Sequence, residues 1–309
     1  MPKSRKLEAL QIRLNQIREQ PDTEAAATGL REILESHQAI AIAQAARIIR
    51  DAHLQSLLPA LRSSFERLLH NPVAADPNCL GKQAIIDALY RLDYPDFEPF
   101  LVGIRHRQLE PAWGGQVDTA AGLRAVSALG LVRVNYSEVL SELADLLADP
   151  ELDARIGAVR ACGYSEHPAA VPLLRLKAQL GDEAAVLGEC FAALLRLAPE
   201  SSLGLVGRAL SQSSREISEA AALALGESRL LAALPILQQW WRSSQDRDLR
   251  QTGLLAIAML RQAEATDFLL SLVAQATLPD MQAAVAALGI YTEDRELAAK
   301  IQALLDERA

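Results

Sequence analysis

The chain has 309 residues and a formal net charge of −8, with a sequence pI near 5.3. Half of its residues are apolar but only 4% are aromatic, which favours a core of closely packed helices over a strand-rich protein. The acidic balance disfavours general binding to nucleic acids, because like charges repel phosphate backbones.

No segment of the sequence predicts export or membrane insertion. The N-terminal MPKSRKLEALQIRLNQIREQ is charged throughout and lacks the apolar stretch of a secretory signal. No apolar run approaches the roughly 20 residues that span a bilayer. The three cysteines, Cys79, Cys162 and Cys190, have no paired spacing, which is typical of a reducing compartment. We therefore expect a cytoplasmic protein without a membrane segment.

The first 38 residues predict N-terminal capping helices. Leu7, Leu10, Leu14 and Ile17 recur at helical spacing and form one apolar stripe on a charged segment. An array of helical repeats needs terminal elements with one polar face. The C-terminal segment ELAAKIQALLDER has the same pattern, so the sequence predicts a single solenoid domain over residues 1–309, capped at both ends.

Residues 39–118 predict repeats that contain long internal loops. The intervals from Ile48 to Ala88 and from Ala88 to Ala128 are both 40 residues, longer than every later interval. Insertions at the same point of successive repeats emerge on one edge of a solenoid, and such edges often carry function. The two insertions are HNPVAADPNC at residues 70–79 and LEPAWGGQVD at residues 109–118.

The second insertion is the stronger candidate for a binding element. Gly114 and Gly115 permit unusual backbone angles, Trp113 supplies a large amphipathic ring, and Arg105 and Arg107 precede it. We predict that this segment contacts a partner. The alternative is that Trp113 folds back and covers apolar surface between repeats.

Residues 119–309 predict regular two-helix repeats. One alanine column runs through segments such as GLRAVSALG and RIGAVRACG, with successive spacings of 33, 32, 31, 32 and 31 residues. A small residue lies three places before each alanine, and larger apolar residues lie two places before and one place after it, which predicts a buried helical stripe. The column comprises Ala128, Ala161, Ala193, Ala224, Ala256 and Ala287.

A second helix follows each alanine-rich helix. Pro99, Pro172 and Pro235 each lie 11 residues after a member of the column, counting Ala88 as one. Proline is tolerated in the first turn of a helix, where its missing N–H would have no intrahelical partner. Each repeat is therefore a pair of helices.

These patterns resemble HEAT repeats, in particular the short bacterial HEAT-like repeats also found in phycobilisome lyases. The resemblance covers residues 40–309 and rests on segments such as DPELDARIGAVRACGYSEHPAAVPLLRL and REISEAAALALGESRLLAALPILQQW. It implies an all-α, right-handed α-solenoid of about seven to eight repeats, with the alanine-rich helices on the concave side. The arginine usual in the family occurs only at Arg155 and Arg250, which removes inter-repeat hydrogen bonds elsewhere.

Charged residues that flank the buried stripe predict a graded inner surface. The earlier repeats contribute basic residues and the later repeats acidic residues, an arrangement that would orient a dipolar partner such as a helix or a tail. The alternative is a solvated face with local ion pairs, each worth about 0–1 kcal/mol. The residues are Lys82, Arg124, Arg155, Arg160, Glu189 and Glu219.

No catalytic motif, phosphate loop or metal-binding spacing is present. We therefore expect no enzymatic activity, no cofactor and no metal. The main hypothesis is a monomeric scaffold that binds a protein or peptide through the concave face and the 109–118 insertion.

Two other functions remain open. The family resemblance implies a bilin lyase or a bilin-protein chaperone. The second alternative is a HEAT-like DNA-base glycosylase, in which Trp113 and Asp118 would surround a damaged base.

Overall fold

The computed structural model describes residues 2–211, 214–291 and 294–308, with side chains from Glu8 onwards. Over these ranges the chain forms nineteen α-helices and one two-stranded β-hairpin. The prediction of an all-α solenoid is therefore confirmed. Leu7, part of the predicted N-terminal stripe, lies outside the described side chains. None of the described helices combines the length and apolar character needed to cross a membrane.

The chain divides into two compact units, Met1–Ser165 and Glu166–Ala309. The elements of the first unit are α1 (Pro2–Glu19), α2 (Glu24–Leu34), α3 (Ala39–Asp51), α4 (Leu58–Leu69), α5 (Pro72–Ala75), α6 (Leu80–Arg91), α7 (Glu98–Arg105), β1 (Leu109–Ala112), β2 (Gly115–Asp118), α8 (Ala121–Arg133), α9 (Val139–Leu147) and α10 (Leu152–Tyr164). The alanine-rich helices α3, α6, α8 and α10 pack in sequence, and α4, α7 and α9 pack against α6, α8 and α10.

The second unit repeats this arrangement without insertions. Its elements are α11 (Ala170–Leu180), α12 (Ala184–Leu197), α13 (Pro199–Ala209), α14 (Arg215–Glu227), α15 (Leu234–Ser243), α16 (Arg247–Met259), α17 (Ala263–Gln275), α18 (Leu278–Leu288) and α19 (Arg295–Asp306). The helices α12, α14, α16 and α18 pack in sequence, and α13, α15 and α17 lie against them.

The alanine column lies in the core of both units, since every member is buried. Small side chains there let neighbouring helices approach closely. At Gly226 of α14, a Cβ atom would lie only 2.5 Å from the carbonyl oxygen of Ala256 in α16. The close packing of successive inner helices thus accounts for both the short repeat period and the small residues of the alanine column.

Most alanine-rich helices end in the same way. A non-glycine residue with a positive φ lies five places after the column position and stops the helix, as a left-handed residue at this position commonly does. None of these positions is a glycine, the residue type that usually predicts such a helix end, so the sequence does not reveal where these helices stop. These residues are His53, Asp93, Glu166, Arg229 and Arg261.

The two insertions are more ordered than loops. The first contains α5 and a short 3₁₀ turn, Pro77–Cys79, and the second forms the hairpin β1–β2. The hairpin is a departure from the predicted loop, and two consecutive glycines after an aromatic residue are the sequence signal for it.

Candidate functional site

The 109–118 insertion presents a tryptophan at the tip of a hairpin. Strands β1 and β2 pair in antiparallel fashion, with Leu109 opposite Asp118 and Ala112 opposite Gly115. Trp113 and Gly114 form the turn, and Gly114 has a φ of +89°, which glycine adopts readily. The side chain of Trp113 is fully exposed. It does not fold back onto the repeats.

The base of this hairpin is held by a buried arginine. Arg124 of α8 donates from Nη1 to Asp118 Oδ2 at 2.8 Å and to the carbonyl oxygen of His106 at 3.0 Å. Its Nε and Nη2 donate to the two carboxylate oxygens of Asp149 at 2.9 and 3.0 Å. Arg124 and Asp149 are fully shielded from solvent. Losing one partner of such a buried pair leaves an uncompensated charge.

A second buried ion pair holds the first insertion. Asp76 accepts hydrogen bonds from the backbone N–H groups of Gly81 and Lys82 at 2.8 and 2.9 Å, at the start of α6. The Lys82 ammonium lies 3.1 Å from Asp76 Oδ2, and both side chains are fully buried. The carboxylate of Asp76 therefore both caps α6 and neutralises Lys82.

The two insertions are hydrogen-bonded to each other. Gln108 Nε2 donates to the carbonyl oxygen of Asp76 at 2.8 Å and to Glu110 Oε1 at 2.7 Å. The same Glu110 oxygen accepts from the backbone N–H of Asn78 and from Thr119 Oγ1, each at 2.7 Å. The prediction that the insertions share one edge agrees with this contact, and together they form one polar cluster.

Two carboxylates of this cluster have a pKa below the ordinary value of their residue type. Burial acts to raise the pKa of Asp118, but N–H donors from Ala120 and Gln108 and the charge of Arg124 outweigh it and hold that pKa below its usual value. For Glu110, burial is likewise outweighed by hydrogen bonds from Gln108, Thr119 and Asn78, so its pKa is also lowered.

Cys79, within the first insertion, has the opposite behaviour. Its side chain is fully buried, and burial raises the pKa of the thiol to about 12. A thiol with so high a pKa is a poor nucleophile at neutral pH. Throughout the described ranges, no group of three or more His, Cys, Asp and Glu side chains could hold a metal ion.

A polar pocket lies beside the base of the hairpin. Its volume is about 390 Å³. Arg105 forms a two-pronged ion pair with Glu142, and the Nη1 atom of Arg107 lies 2.7 Å from Asp149 Oδ2. The lining residues are Ile104, Arg105, Arg107, Glu142, Asp145 and Leu146.

The prediction of a charged inner surface is wrong for two of its basic residues. Lys82 and Arg124 are fully buried, because carboxylates of the insertions and of the α9–α10 connection neutralise them inside the protein. Neither side chain can contact a partner directly. The acidic residues that bury them, Asp76 and Asp149, carried no sequence signal, since their partners are 6 and 25 residues away along the chain.

The other predicted residues lie on separate elements. Arg155 Nη1 donates to the carbonyl oxygens of Asp149 and Pro150 at 3.0 and 2.8 Å, which ties down the start of α10. Arg160 is exposed and Glu189 is half-buried. Glu219 pairs with Arg215 of its own helix at 2.9 Å. Their role in binding a partner stays a prediction.

The structure also separates the two residues that a base-binding site would need. Trp113 lies at the tip of the hairpin, whereas Asp118 lies at its base and is buried in the pair with Arg124. Asp118 therefore has no free carboxylate to offer beside the Trp113 ring.

No family model matches the chain, and no curated protein does. Solved structures do match, among them the complex of CpcE and CpcF of phycocyanin lyase from Nostoc sp. PCC7120. The sequence identity is 15% and the TM-score is 0.40, over 73% of this chain and 88% of that chain. The similar structure is described as a lyase, which is contrary to the expectation that the chain is not an enzyme, and that expectation is withdrawn.

Proposed function

We propose that this chain is a HEAT-type repeat protein that binds a protein partner through the hairpin, with Trp113 as the anchor residue. The observation that carries the proposal is a fully exposed tryptophan on a hairpin whose base is buried by ion pairs. Tryptophan is enriched among the few residues that dominate binding energies in interfaces. A large apolar ring held in water has much to gain from burial against a partner.

The rigidity of the hairpin base supports this function. Asp118 accepts a hydrogen bond from the buried Arg124, and Gln108 donates one to the backbone carbonyl oxygen of the buried Asp76. Binding therefore does not have to order a flexible loop, and less of the interaction energy is lost to conformational entropy. An exposed tryptophan on a mobile loop would be a weaker anchor.

Other apolar side chains of the two insertions are also exposed. Leu109 and Val117 lie on the two strands, Val73 lies in the first insertion, and Leu80 directly follows it. The partner that fits is a protein with an apolar pocket for the Trp113 ring. A cytoplasmic location is part of this proposal, supported by three buried cysteines that form no disulfide.

The test compares Trp113→Ala with wild type in affinity capture from the native cytosol. Deleting residues 109–118 would be a poorer test, because it removes Glu110 and Asp118 from the buried cluster. We expect a protein that wild type enriches and Trp113→Ala loses, at an unchanged melting temperature. Leu278→Ala is the matched control, since Leu278 is an exposed apolar residue of the second unit and should have no effect. Equal capture by Trp113→Ala would refute the proposal.

A bilin-related activity is the second candidate. The matched structure is named as a phycocyanin lyase, and an exposed indole ring such as that of Trp113 can stack on a planar conjugated ligand. Adding a free bilin to the protein tests this directly. A saturable change in the visible absorbance that Trp113→Ala abolishes would favour it over protein binding, and an unchanged spectrum would count against it.

A further inference from the structure

The two strands of the hairpin direct alternate backbone groups outward. In an antiparallel pair, opposite residues alternate between those that exchange backbone hydrogen bonds and those whose N–H and C=O groups point away from the other strand. The N–H of Thr119 donates to the carbonyl oxygen of Gln108 at 2.9 Å, so this is a bonding pair. Along the register of the hairpin, the outward-pointing pairs are therefore Leu109–Asp118 and Pro111–Gln116.

The two outer edges of the hairpin differ in what they can bind. On β1, Pro111 occupies an outward position, and proline has no N–H to donate. Proline at such a position is one of the ways in which proteins block the addition of a further strand. On β2, the outward residues Gln116 and Asp118 both keep their N–H and carbonyl groups. Strand β2 therefore offers donors and acceptors for a third strand, whereas β1 lacks a donor.

The β2 edge is also open. Within the described ranges, no group forms a hydrogen bond with the outward backbone groups of Gln116. Gln116 is exposed, and the neighbouring Val117 is 45% exposed. A Cβ atom at Gly115 would have no atom within 4 Å apart from its chain neighbours. The first insertion bonds instead to Gln108 and Glu110, on the β1 side of the hairpin.

We propose that the β2 edge binds an extended segment of the protein partner, which pairs with Gln116 as a third strand. Recognition by strand addition takes its affinity from main-chain hydrogen bonds and its specificity from alternate side chains. The partner residue opposite Gln116 must therefore have an N–H group, which excludes proline there. The exposed Val117 favours an apolar side chain at the partner position beside it.

The inference rests on the proposed function, because the same partner would cover Trp113. Trp113 is three residues from Gln116, and strands rise about 3.3 Å per residue, so the two residues are at most about 10 Å apart. A second copy of this chain is a poorer occupant. Two four-residue strands paired edge to edge would bury far less than the roughly 1,000 Å² expected of a stable interface.

The first test asks whether the β2 edge is open in solution. Amide hydrogen exchange of the free protein, followed residue by residue by NMR, should be slower at Val117 than at Gln116. The reason is that the N–H of Val117 faces Glu110 of β1, whereas that of Gln116 faces outward. Equal protection of the two amides would show that the edge is already covered, and would overturn the proposal.

The second test uses linear twelve-residue peptides displayed on phage as the probe, selected for binding to the wild-type protein. The selected peptides, once synthesised, should protect the Gln116 amide from exchange. Gln116→Pro removes the outward N–H and should weaken their binding by about tenfold. Gln116→Ala changes the side chain but keeps that N–H, and should bind the peptides about fivefold more tightly than Gln116→Pro does. Continued protection of the Val117 amide in Gln116→Pro shows that the hairpin is intact.

Three results would overturn the strand pairing. The first is equal binding of the peptides by Gln116→Pro and Gln116→Ala, and the second is a selection that yields no peptide able to protect the Gln116 amide. The third is a dimer, measured by sedimentation, in which the Gln116 amide becomes protected as the protein concentration rises. That result would make a second copy of the chain the occupant of the edge.

Trp113→Ala separates this inference from the proposed function. The variant keeps the β2 edge, so adding Gln116→Pro to it should still weaken peptide binding by about tenfold. If Trp113→Ala captures the same proteins from cytosol as wild type while the peptides protect Gln116, only the role of Trp113 is refuted. If Trp113→Ala loses its partner while Gln116→Pro binds the peptides as tightly as Gln116→Ala, only the strand pairing is refuted.

Discussion

The two insertions of the first unit and the regular repeats of the second unit are held in place by different forces. The repeats from α12 to α18 pack mainly through close apolar contacts of alanine and glycine, beside partly exposed ion pairs such as Arg250–Asp280. The insertions are held by Arg124, Lys82 and the carboxylates that surround them. Apolar packing tolerates many side chains of similar volume, whereas a buried ion pair requires one specific partner. The insertions should therefore be the more sensitive region to a single change of charge.

The largest effect should follow from removing the charge of Arg124. Arg124→Met leaves Asp118 and Asp149 buried without their main cation, and breaking such a pair costs about 3–5 kcal/mol. Urea denaturation measures the loss. The control Arg13→Met removes an exposed ion pair, with the Arg13 and Glu32 side chains 40% and 56% exposed, and should cost about 0–1 kcal/mol. A similar loss of unfolding free energy in both variants would contradict the proposal that the buried ion pairs stabilise the protein more than the exposed ones.

A smaller loss should follow from crowding the contact between α14 and α16. A Cβ at Gly226 would lie 2.5 Å from the Ala256 carbonyl oxygen and 2.9 Å from its Cα, and overpacking of this kind costs about 1–3 kcal/mol. Gly204→Ala in α13 is the matched control, because the nearest atom to its Cβ would be Arg208 Nη1 at 3.8 Å. That variant should gain about 0.5–1 kcal/mol from the better helix propensity of alanine. Equal losses at the two glycines would show that helix spacing is not limiting.

Acid should loosen the insertions before the regular repeats. The pKa values of Asp118 and Glu110 are lowered in the folded protein, so these groups stabilise the fold at pH values above their unfolded pKa, about 4. That contribution is lost as the pH falls through the lowered folded values. Amide hydrogen exchange measured from pH 5 to 3, corrected for the intrinsic rate, should show protection lost first in β1 and β2. Simultaneous loss in α12 and α18 would contradict a separate, charge-held region.

The smallest effect on stability should come from Trp113→Ala. The ring is fully exposed and touches no repeat, and surface substitutions of this kind change stability by about 0.5 kcal/mol or less. Thermal unfolding provides the measurement, with wild type as the reference. A loss of several degrees would mean that the ring packs in solution, and the hairpin would then belong with the packed repeats.

The sequence by itself determined the repeat architecture. The alanine column from Ala128 to Ala287 is readable because stacked helices impose one periodic requirement, which is a small side chain at each close contact. The position of both insertions also followed from the period, since each lengthened an interval to 40 residues. Trp113 could be identified as a candidate from the sequence, but its exposure could not be predicted, because a tryptophan packed in the core and one that contacts a partner look alike in a sequence.

Only the tertiary structure decided which charged side chains are buried and which partners they pair with. Lys82 and Arg124 have the spacing of surface residues on an inner helix, yet both are buried because Asp76, Asp118 and Asp149 converge on them from other segments. Such pairing carries no period, and Arg124 and Asp149 are 25 residues apart. Hydrophobic periodicity depends on residues that are close in the sequence, so it can be recognised from the sequence alone. The pairing of a buried charge depends on which segments meet in space, and the folded chain alone specifies that.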